Sequence, residues 1–221
     1  MSIYYNINQF RPHAKNFNTG VSYGRFQVYH GGHKLSTQMI LNLGLTPYIF
    51  VSHKQNIPNN PLSANEKTQF IQSVWSKSKK PVVVSATSRS ASYIGTHANT
   101  LRKNGKKVVI FLGQNRVRPA NNTNTKKHYL SNGLLKMGFT IVQAGKRVPG
   151  ATNVRGLSGT KLRQFAVNGN FNSFVKGLPN TVNRTTALNL YESIRTRLTQ
   201  SAPASAKLPK ATSDRAKRTR G

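Results

Sequence analysis

The sequence GRFQVYHGGH, residues 24–33, decides the fold because it joins a strand-like segment to a helix-like one. Val21–Tyr23, just before it, alternates and is β-branched like the first strand of a sheet. Behind it, apolar residues recur at helical spacing at positions 35, 39, 40 and 43. A helix that starts directly after a strand presents backbone N–H groups and attracts phosphate. His30 and His33 lie on this junction, so both imidazoles can donate hydrogen bonds to phosphoryl oxygens in one pocket.

A second motif, LSGTKLR, occupies residues 157–163. It combines hydroxyl and basic side chains at a point where we predict that another helix begins. Further strand-like runs separate the two motifs along the chain.

Together the two motifs resemble a known superfamily. GRFQ followed by His-x-Gly-His, over Gly24–His33, is similar to the signature of the HIGH-type nucleotidyltransferases. Within that superfamily the chain most resembles the nicotinamide-mononucleotide adenylyltransferase branch. The run Ser158–Arg163 is similar to the superfamily's second motif, Ser-x-Thr-x-x-Arg, which opens a helix and holds the triphosphate. The resemblance covers residues 20–195, most of the chain.

The resemblance implies an enzyme that transfers the adenylyl group of ATP to a phosphorylated small molecule and releases pyrophosphate. The GRFQ segment favours nicotinamide mononucleotide as acceptor over the pantetheine phosphate or cytidine nucleotides that cousins use. The implied catalytic residues are His30, His33 and Arg163, which would stabilise charge on the phosphates. The implied ATP-binding residues are Gly24, Arg25, Phe26, Gln27, Gly32, Gly113, Gln114, Arg116, Ser158 and Thr160.

ATP and Mg²⁺ are the implied cofactors. Adenylyl transfer depends on positioning and charge neutralisation, and it does not require a protein carboxylate as base. We predict no metal site built from protein side chains, because the chain has no Cys and its other histidines lack metal-ligand spacing. Phosphate oxygens and water would hold the Mg²⁺. The other histidines are His13, His53, His97 and His128.

The periodicity of the chain predicts an α/β fold with a doubly wound parallel sheet of about five strands, as in Rossmann-like nucleotidyltransferases. Ser63–Glu66 reads as a capping box that starts a helix, and Trp75 is expected to pack in the core at the end of that helix. We predict strands over residues 21–26, 47–52, 81–85, 107–112 and 139–143, and helices over 32–43, 63–75, 90–103, 126–137, from 157 onwards, and over 182–198.

The predicted organisation is one domain with two appendages. Residues 1–19 are expected to form an N-terminal arm, residues 20–198 the nucleotidyltransferase domain and residues 199–221 a basic tail. The N-terminus lacks the basic and apolar regions of a signal peptide, and no apolar run reaches the roughly 20 residues of a membrane span. We therefore expect a cytoplasmic protein, or one inside a virus particle.

The charge of the chain is extreme. It carries 34 Lys and Arg residues against 3 acidic ones, a formal net charge of +31 at pH 7. Asparagine is abundant, with 23 residues against a single Asp. Two explanations are open: repulsion from nucleic-acid phosphate removed the carboxylates, or aspartates are recorded as asparagines. The intact mass separates the two, because each hidden Asp adds about one dalton to it.

Two functional classes therefore remain. The motifs favour an adenylyltransferase with small nucleotide substrates. The charge and the basic tail favour a nucleotidyltransferase-fold protein that is structural or associated with nucleic acid, for example a virion component. The two hypotheses do not exclude each other. Nucleic acid is thus a candidate partner, oligomerisation is open, and no membrane partner is expected.

Overall fold

The computed structural model describes residues 4–78, 82–87, 93–113, 129–144 and 157–200. Its strands are β1 (Tyr4–Asn6), β2 (Thr19–Gly24), β3 (Thr46–Ser52), β4 (Val83–Thr87), β5 (Val108–Gly113) and β6 (Thr140–Ala144). Its helices are α1 (Ile7–Phe10), α2 (Gly31–Asn42), α3 (Ala64–Trp75), α4 (Tyr93–Lys103), α5 (Tyr129–Lys136), α6 (Gly159–Val167), α7 (Phe171–Gly177) and α8 (Arg184–Gln200), with a 3₁₀ helix over Arg11–Asn16.

The described strands form one parallel sheet in the order β1-β6-β5-β2-β3-β4. From β2 the chain moves one way to β3 and β4, and it then returns to the other side of β2 as β5. The crevice above the carboxyl ends of β2 and β5 is therefore the point where the strand order reverses. In open α/β sheets, ligands bind at such a point.

Helices cover both faces of the sheet. Along β3, Ile49 and Val51 pack in one cluster with α3, α6, α7 and α8, whereas Phe50 faces a second cluster with α4 and α5. Successive strand residues point to opposite faces, so these clusters lie on the two sides of the sheet. A third cluster joins α2 and the N-terminal segment to Val109 and Phe111 of β5. The doubly wound α/β architecture predicted from the periodicity is confirmed.

The structure contains a sixth strand and three short helical elements, α1, the 3₁₀ helix and α7, that the periodicity did not predict. Tyr4–Asn6, in the segment expected to be an arm, pairs in parallel with Ile141–Gln143 at the edge of the sheet. Three residues are too few for an alternating pattern, so only the tertiary structure reveals this strand. The helix α7 begins after Asn170, whose side chain accepts a hydrogen bond from the N–H of Ser173.

Predicted and observed ends of the shared elements differ by up to three residues, as is usual for helix and strand termini. Residues 201–221 of the predicted basic tail lie outside the described residues. Within the described residues, no helix is both long enough and apolar enough to cross a membrane.

The predicted capping box at the start of α3 is confirmed. The Ser63 hydroxyl accepts the Glu66 N–H at 3.2 Å, and the Glu66 carboxylate accepts the Ser63 N–H at 2.9 Å. The same carboxylate forms an ion pair with Arg197 of α8, with 2.7 Å between Nη1 and Oε2. Burial would raise the pKa of Glu66, but the hydrogen bonds from Arg197 and Ser63 and the charge of Arg197 lower it to about 2. This carboxylate therefore joins α3 to α8.

We expect Glu66 to make folding sensitive to acid. Its pKa is depressed from 4.5 to about 2, so its contribution is complete above pH 4.5 and is lost as the pH falls towards 2. Because the pair is partly exposed, we expect a contribution of about 1–2 kcal/mol to the free energy of unfolding. Glu66→Gln keeps a capping acceptor but removes the charge. The difference in free energy of unfolding between wild type and variant should shrink from pH 6 to pH 2, and a constant difference would contradict the assignment.

Candidate nucleotide-binding site

The first motif lies in the loop between β2 and α2, at the point where the strand order reverses. Gly24 ends β2 with no side chain, and a Cβ there would lie 2.7 Å from the ring of Phe26. Phe26 has φ of 44°, in the left-handed region that a bulky residue rarely adopts. The turn tucks the Phe26 ring inward, leaving it 7% exposed. The loop is thus bent sharply at the mouth of the crevice.

The two histidines cap the helix that they begin. The Nδ1 of His30 accepts the N–H of Gly32 at 3.1 Å, and the Nδ1 of His33 accepts the N–H of His30 at 3.3 Å. The two rings stack with centroids 3.9 Å apart. An Nδ1 that accepts a hydrogen bond carries no proton, so in each neutral ring the proton is on Nε2. The capping box therefore selects the tautomer in which Nε2 is a hydrogen-bond donor.

Aromatic rings hold His33 in place. Phe26 meets its ring edge to face at 4.9 Å between centroids, and Tyr29 stacks on it at 5.5 Å. Tyr29 is itself buried, and its hydroxyl bonds Thr37 at 2.9 Å and accepts the indole N–H of Trp75 at 3.1 Å. Burial raises the pKa of Tyr29, so its hydroxyl stays protonated. Trp75 packs against the core as predicted, and it also supports the ring behind His33.

The second motif docks directly onto the first. A Cβ on Gly159 would lie 3.0 Å from the backbone nitrogen of Val28 and 3.2 Å from the carbonyl of Gln27. Arg163 donates from Nη1 to the carbonyl oxygen of Gln27 at 2.7 Å and from Nη2 to the Thr160 hydroxyl at 3.2 Å. The start of α6 therefore touches the loop that leads into α2. Two segments more than a hundred residues apart in sequence close around one crevice.

The crevice is strongly positive. Burial lowers the pKa of Arg163, and the nearby positive charge of Arg25 lowers it further. The described acidic residues are Glu66 and Glu192, and neither lines the crevice, which encloses about 1420 Å³. An anion bound beside these two guanidinium groups would offset the repulsion that Arg163 experiences. The starts of α2 and α6 add N–H groups at the same place.

Of the thirteen predicted site residues, the structure describes eleven, and all eleven line this crevice. Gln114 and Arg116 lie outside the described residues. The residues brought together are Gly24, Arg25, Phe26, Gln27, His30, Gly32, His33, Gly113, Ser158, Thr160 and Arg163.

Three of these residues have local structural contacts that the motifs did not indicate. The Gln27 side chain is buried, and its amide pairs with Leu62 in both directions, at 2.9 Å to the carbonyl and 2.8 Å from the N–H. Gln27 thus lines the crevice and also ties the loop to the segment before α3. Phe26 supports His33, and Ser158 caps α6 by accepting the N–H of Lys161 at 3.2 Å.

Sequence reasoning missed the buried lysine of α3. Lys67 is 1% exposed and donates to the carbonyl of Ser52 at the end of β3 at 2.5 Å. Burial lowers its pKa to about 8, although Glu66 partly opposes the shift. Together with Gln27, which also reaches the carbonyl of Lys54, it anchors the segment that carries Asn59 and Asn60 to the crevice wall. A lysine in an amphipathic helix gives no sequence signal of such burial.

Known structures share this architecture. A bifunctional NMN adenylyltransferase/ADP ribose pyrophosphatase from Francisella tularensis, complexed with AMP and a manganese ion, aligns with a TM-score of 0.54 at 18% identity. The alignment covers 81% of this chain and 52% of that protein, so the chain spans about half its length. A second structure of the Francisella protein gives the same TM-score and identity.

Another solved structure aligns over nearly its full length. The Plasmodium falciparum nicotinic acid mononucleotide adenylyltransferase complexed with APC gives a TM-score of 0.51 at 13% identity. The alignment covers 80% of this chain and 98% of that one. This chain has their fold. No protein-family model matches the sequence, and no curated protein sequence matches it either.

We expect the contact between the two motifs to depend on Gly159. In Gly159→Ala the new methyl group meets backbone atoms of Val28 and Gln27, which cannot rotate away as a flexible side chain can. The start of α6 should move off the loop, and the affinity for ATP should fall by about tenfold or more, since a small misplacement of a phosphate-binding group is costly. Isothermal titration with ATP measures this.

Gly133→Ala is the matched control for this substitution. Gly133 lies in α5, and nothing lies within 4 Å of a Cβ there. The same change should leave ATP affinity unaltered and raise helix stability by about 0.5–1 kcal/mol. Equal ATP affinities in both variants would contradict the close docking of α6.

We expect the hydroxyl of Tyr29 to stabilise the support of His33. Tyr29→Phe keeps the ring but leaves the Thr37 hydroxyl and the Trp75 indole N–H without their partner. The free energy of unfolding should fall by about 1–3 kcal/mol. Tyr191→Phe, in the same core cluster, removes a hydroxyl for which the described residues supply no hydrogen bond. Urea denaturation of both variants measures the difference, and a similar small effect in both would contradict the prediction.

Proposed function

We propose that this chain transfers the adenylyl group of ATP to the phosphate of nicotinamide mononucleotide and releases pyrophosphate. The observation that carries the proposal is the contact of Gly159 and Arg163 with the loop between β2 and α2. Two helix starts, two imidazoles and two guanidinium groups thereby surround one crevice at the switch point of the sheet, with no acidic side chain among its described lining residues. Such a crevice has the charge and the donors that a triphosphate requires.

Each group has a defined part in binding the triphosphate. The Nε2–H groups of His30 and His33 donate hydrogen bonds to the α-phosphate, where negative charge builds up during transfer. Thr160 and Arg163 at the start of α6 hold the β- and γ-phosphates. Arg163 has five N–H donors, and its two bonds to protein set the plane of the guanidinium without using all of them.

The chemistry requires no protein base. An oxygen of the acceptor's phosphate is already anionic and attacks the α-phosphorus of ATP in line with the leaving group. One P–O bond forms to the acceptor as the bond to the β-phosphate oxygen breaks, and pyrophosphate leaves with that electron pair. The protein's contribution is to align the two phosphates and to stabilise the charge. This reaction is compatible with a crevice in which the described lining residues include no carboxylate.

Mg²⁺ is proposed to enter with the ATP. When bound, it would neutralise charge on the phosphate oxygens. The described residues contain no group of three His, Asp or Glu side chains that could hold a metal. We therefore assign its coordination to phosphate oxygens and water.

The acceptor is proposed to bind against the segment before α3. Asn59 and Asn60 line the crevice there, and amide groups can bond a nicotinamide carboxamide or a ribose hydroxyl. The aligned proteins are named for nicotinamide and nicotinic acid mononucleotides, which supports an acceptor of this kind. Gln27 and Lys67 hold the segment rigidly from behind.

The proposal is tested by pyrophosphate release and His33 variants. With ATP, Mg²⁺ and nicotinamide mononucleotide, the wild type should release pyrophosphate. His33→Asn keeps an acceptor near the position of Nδ1 for the His30 N–H but removes the Nε2 donor. We expect it to fold and to lose about 10²–10³-fold in kcat. His33→Ala should abolish release, and His13→Ala, at an exposed site, should have no effect.

Parallel reactions with other acceptors identify the substrate. Nicotinic acid mononucleotide and pantetheine phosphate should be poorer acceptors than nicotinamide mononucleotide. If folded wild-type protein released no pyrophosphate with any of the three, the enzymatic proposal would be rejected.

A further inference from the structure

We propose that the surface at the amino ends of the strands, opposite the crevice, binds the phosphate backbone of double-stranded nucleic acid. This surface, the basic edge, consists of four exposed lysines: Lys103, Lys106, Lys107 and Lys136. It uses none of the residues assigned to adenylyl transfer, and it does not depend on that function.

Contacts between the ends of α4 and α5 bring the four lysines to the same surface. Lys103 ends α4, and Lys106 and Lys107 follow it directly before β5. Lys136 ends α5, and Arg102 of α4 joins the two helix ends by donating to the carbonyl of Gly138 at 2.9 Å while its guanidinium lies 3.7 Å from the ring centroid of Phe139. These residues precede β5 and β6, so they lie at the amino ends of the strands.

Capping of helix ends does not account for these lysines. The backbone closes the last turn of α4, where Gly105 and Lys106 donate to the carbonyls of Arg102 and Leu101 at 3.0 Å each. Gly138 and Phe139 close α5 in the same way, at 2.9 and 3.1 Å. The ammonium groups are therefore not required to satisfy helix carbonyls.

No acidic side chain balances the basic edge within the described residues. Glu66 and Glu192, the acids described, belong to α3 and α8. Those helices pack on the face of Ile49 and Val51, whereas α4 and α5 pack on the face of Phe50. A soluble protein normally intersperses charges of both signs, because unscreened repulsion between like charges destabilises the fold. A surface of one sign is therefore expected to meet a partner of the opposite sign.

The chemistry of the surface favours a nucleic-acid duplex. Lysine ammonium groups bind phosphate as point charges and do not read bases. Four of them on one surface can bind several phosphates of one backbone, and the net charge of +31 attracts a polyanion from a distance. Binding should thus be independent of sequence and steeply dependent on salt.

The experiment compares two variants of the full chain that lose the same charge. In the edge variant, all four lysines become Gln. In the control variant, Lys77→Gln, Lys176→Gln, Arg184→Gln and Arg195→Gln remove four exposed charges from α3, α7, α8 and their ends. Fluorescence anisotropy with a labelled DNA duplex, repeated with duplex RNA, measures affinity across a salt series.

We expect only the edge variant to lose affinity, by about tenfold or more at 0.1 M salt, and its log–log salt slope to decrease by about 3–4. Pyrophosphate release should be unchanged in it, which shows that the variant is folded and separates this surface from the proposed activity. Equal losses in the two variants would show that binding follows net charge alone and would overturn the assignment. So would the absence of duplex binding by wild type, or edge-dependent binding to anionic lipid vesicles in its place.

Discussion

The contact between the start of α6 and the loop after β2 is the constraint on which the rest of the site depends. Gly159 lies against the backbone of Val28, and Arg163 holds the carbonyl of Gln27. The first contact is a close backbone approach that a Cβ on Gly159 would crowd, and the second is a charge-assisted bond that depends on the guanidinium. The sheet brings the loop to the crevice, and α6, which packs on the same face, meets it there. One contact therefore converts two motifs into one binding site.

In the histidine pair, the hydrogen bonds that cap α2 also determine which ring nitrogen carries the proton. Each imidazole has two nitrogens, and the capping box uses one of them as an acceptor in both rings. The other nitrogen must then carry the proton, so helix formation prepares the donors. Phe26 and Tyr29 hold the His33 ring in that orientation. The same side chains thus stabilise α2 and keep an N–H donor in each ring for the proposed phosphate.

The charge distribution gives the molecule two edges of different character. At the carboxyl ends of the strands, positive groups converge inside a crevice, where burial and the charge of Arg25 lower the pKa of Arg163. At the amino ends, exposed lysines lie on an open surface. A concave site selects a small polyanion, whereas an open row suits an extended one. The Glu66–Arg197 pair, between α3 and α8, is the ion pair that the described residues contain.

The central elements of the fold could be predicted from local pattern. Helices such as α2 and α3 have their caps and apolar spacing within a few residues, and a buried parallel strand such as β5 is a continuous apolar run. The strand β1 could not be predicted, because three residues carry no pattern and their pairing is with β6. The segment expected as an arm is in part an edge of the sheet for that reason.

The candidate site, too, could be predicted in part from local sequence and in part only from contacts between distant segments. The sequence alone determined the candidate residues and their order, since imidazoles, hydroxyls and a guanidinium at helix starts carry a local signal for phosphate. Only the tertiary structure decided that Gln27 braces Leu62, that Tyr29 supports His33 and that Lys67 is buried. The physical reason is that a side chain's task depends on its partners, and these partners come from distant segments that meet only when the sheet has formed.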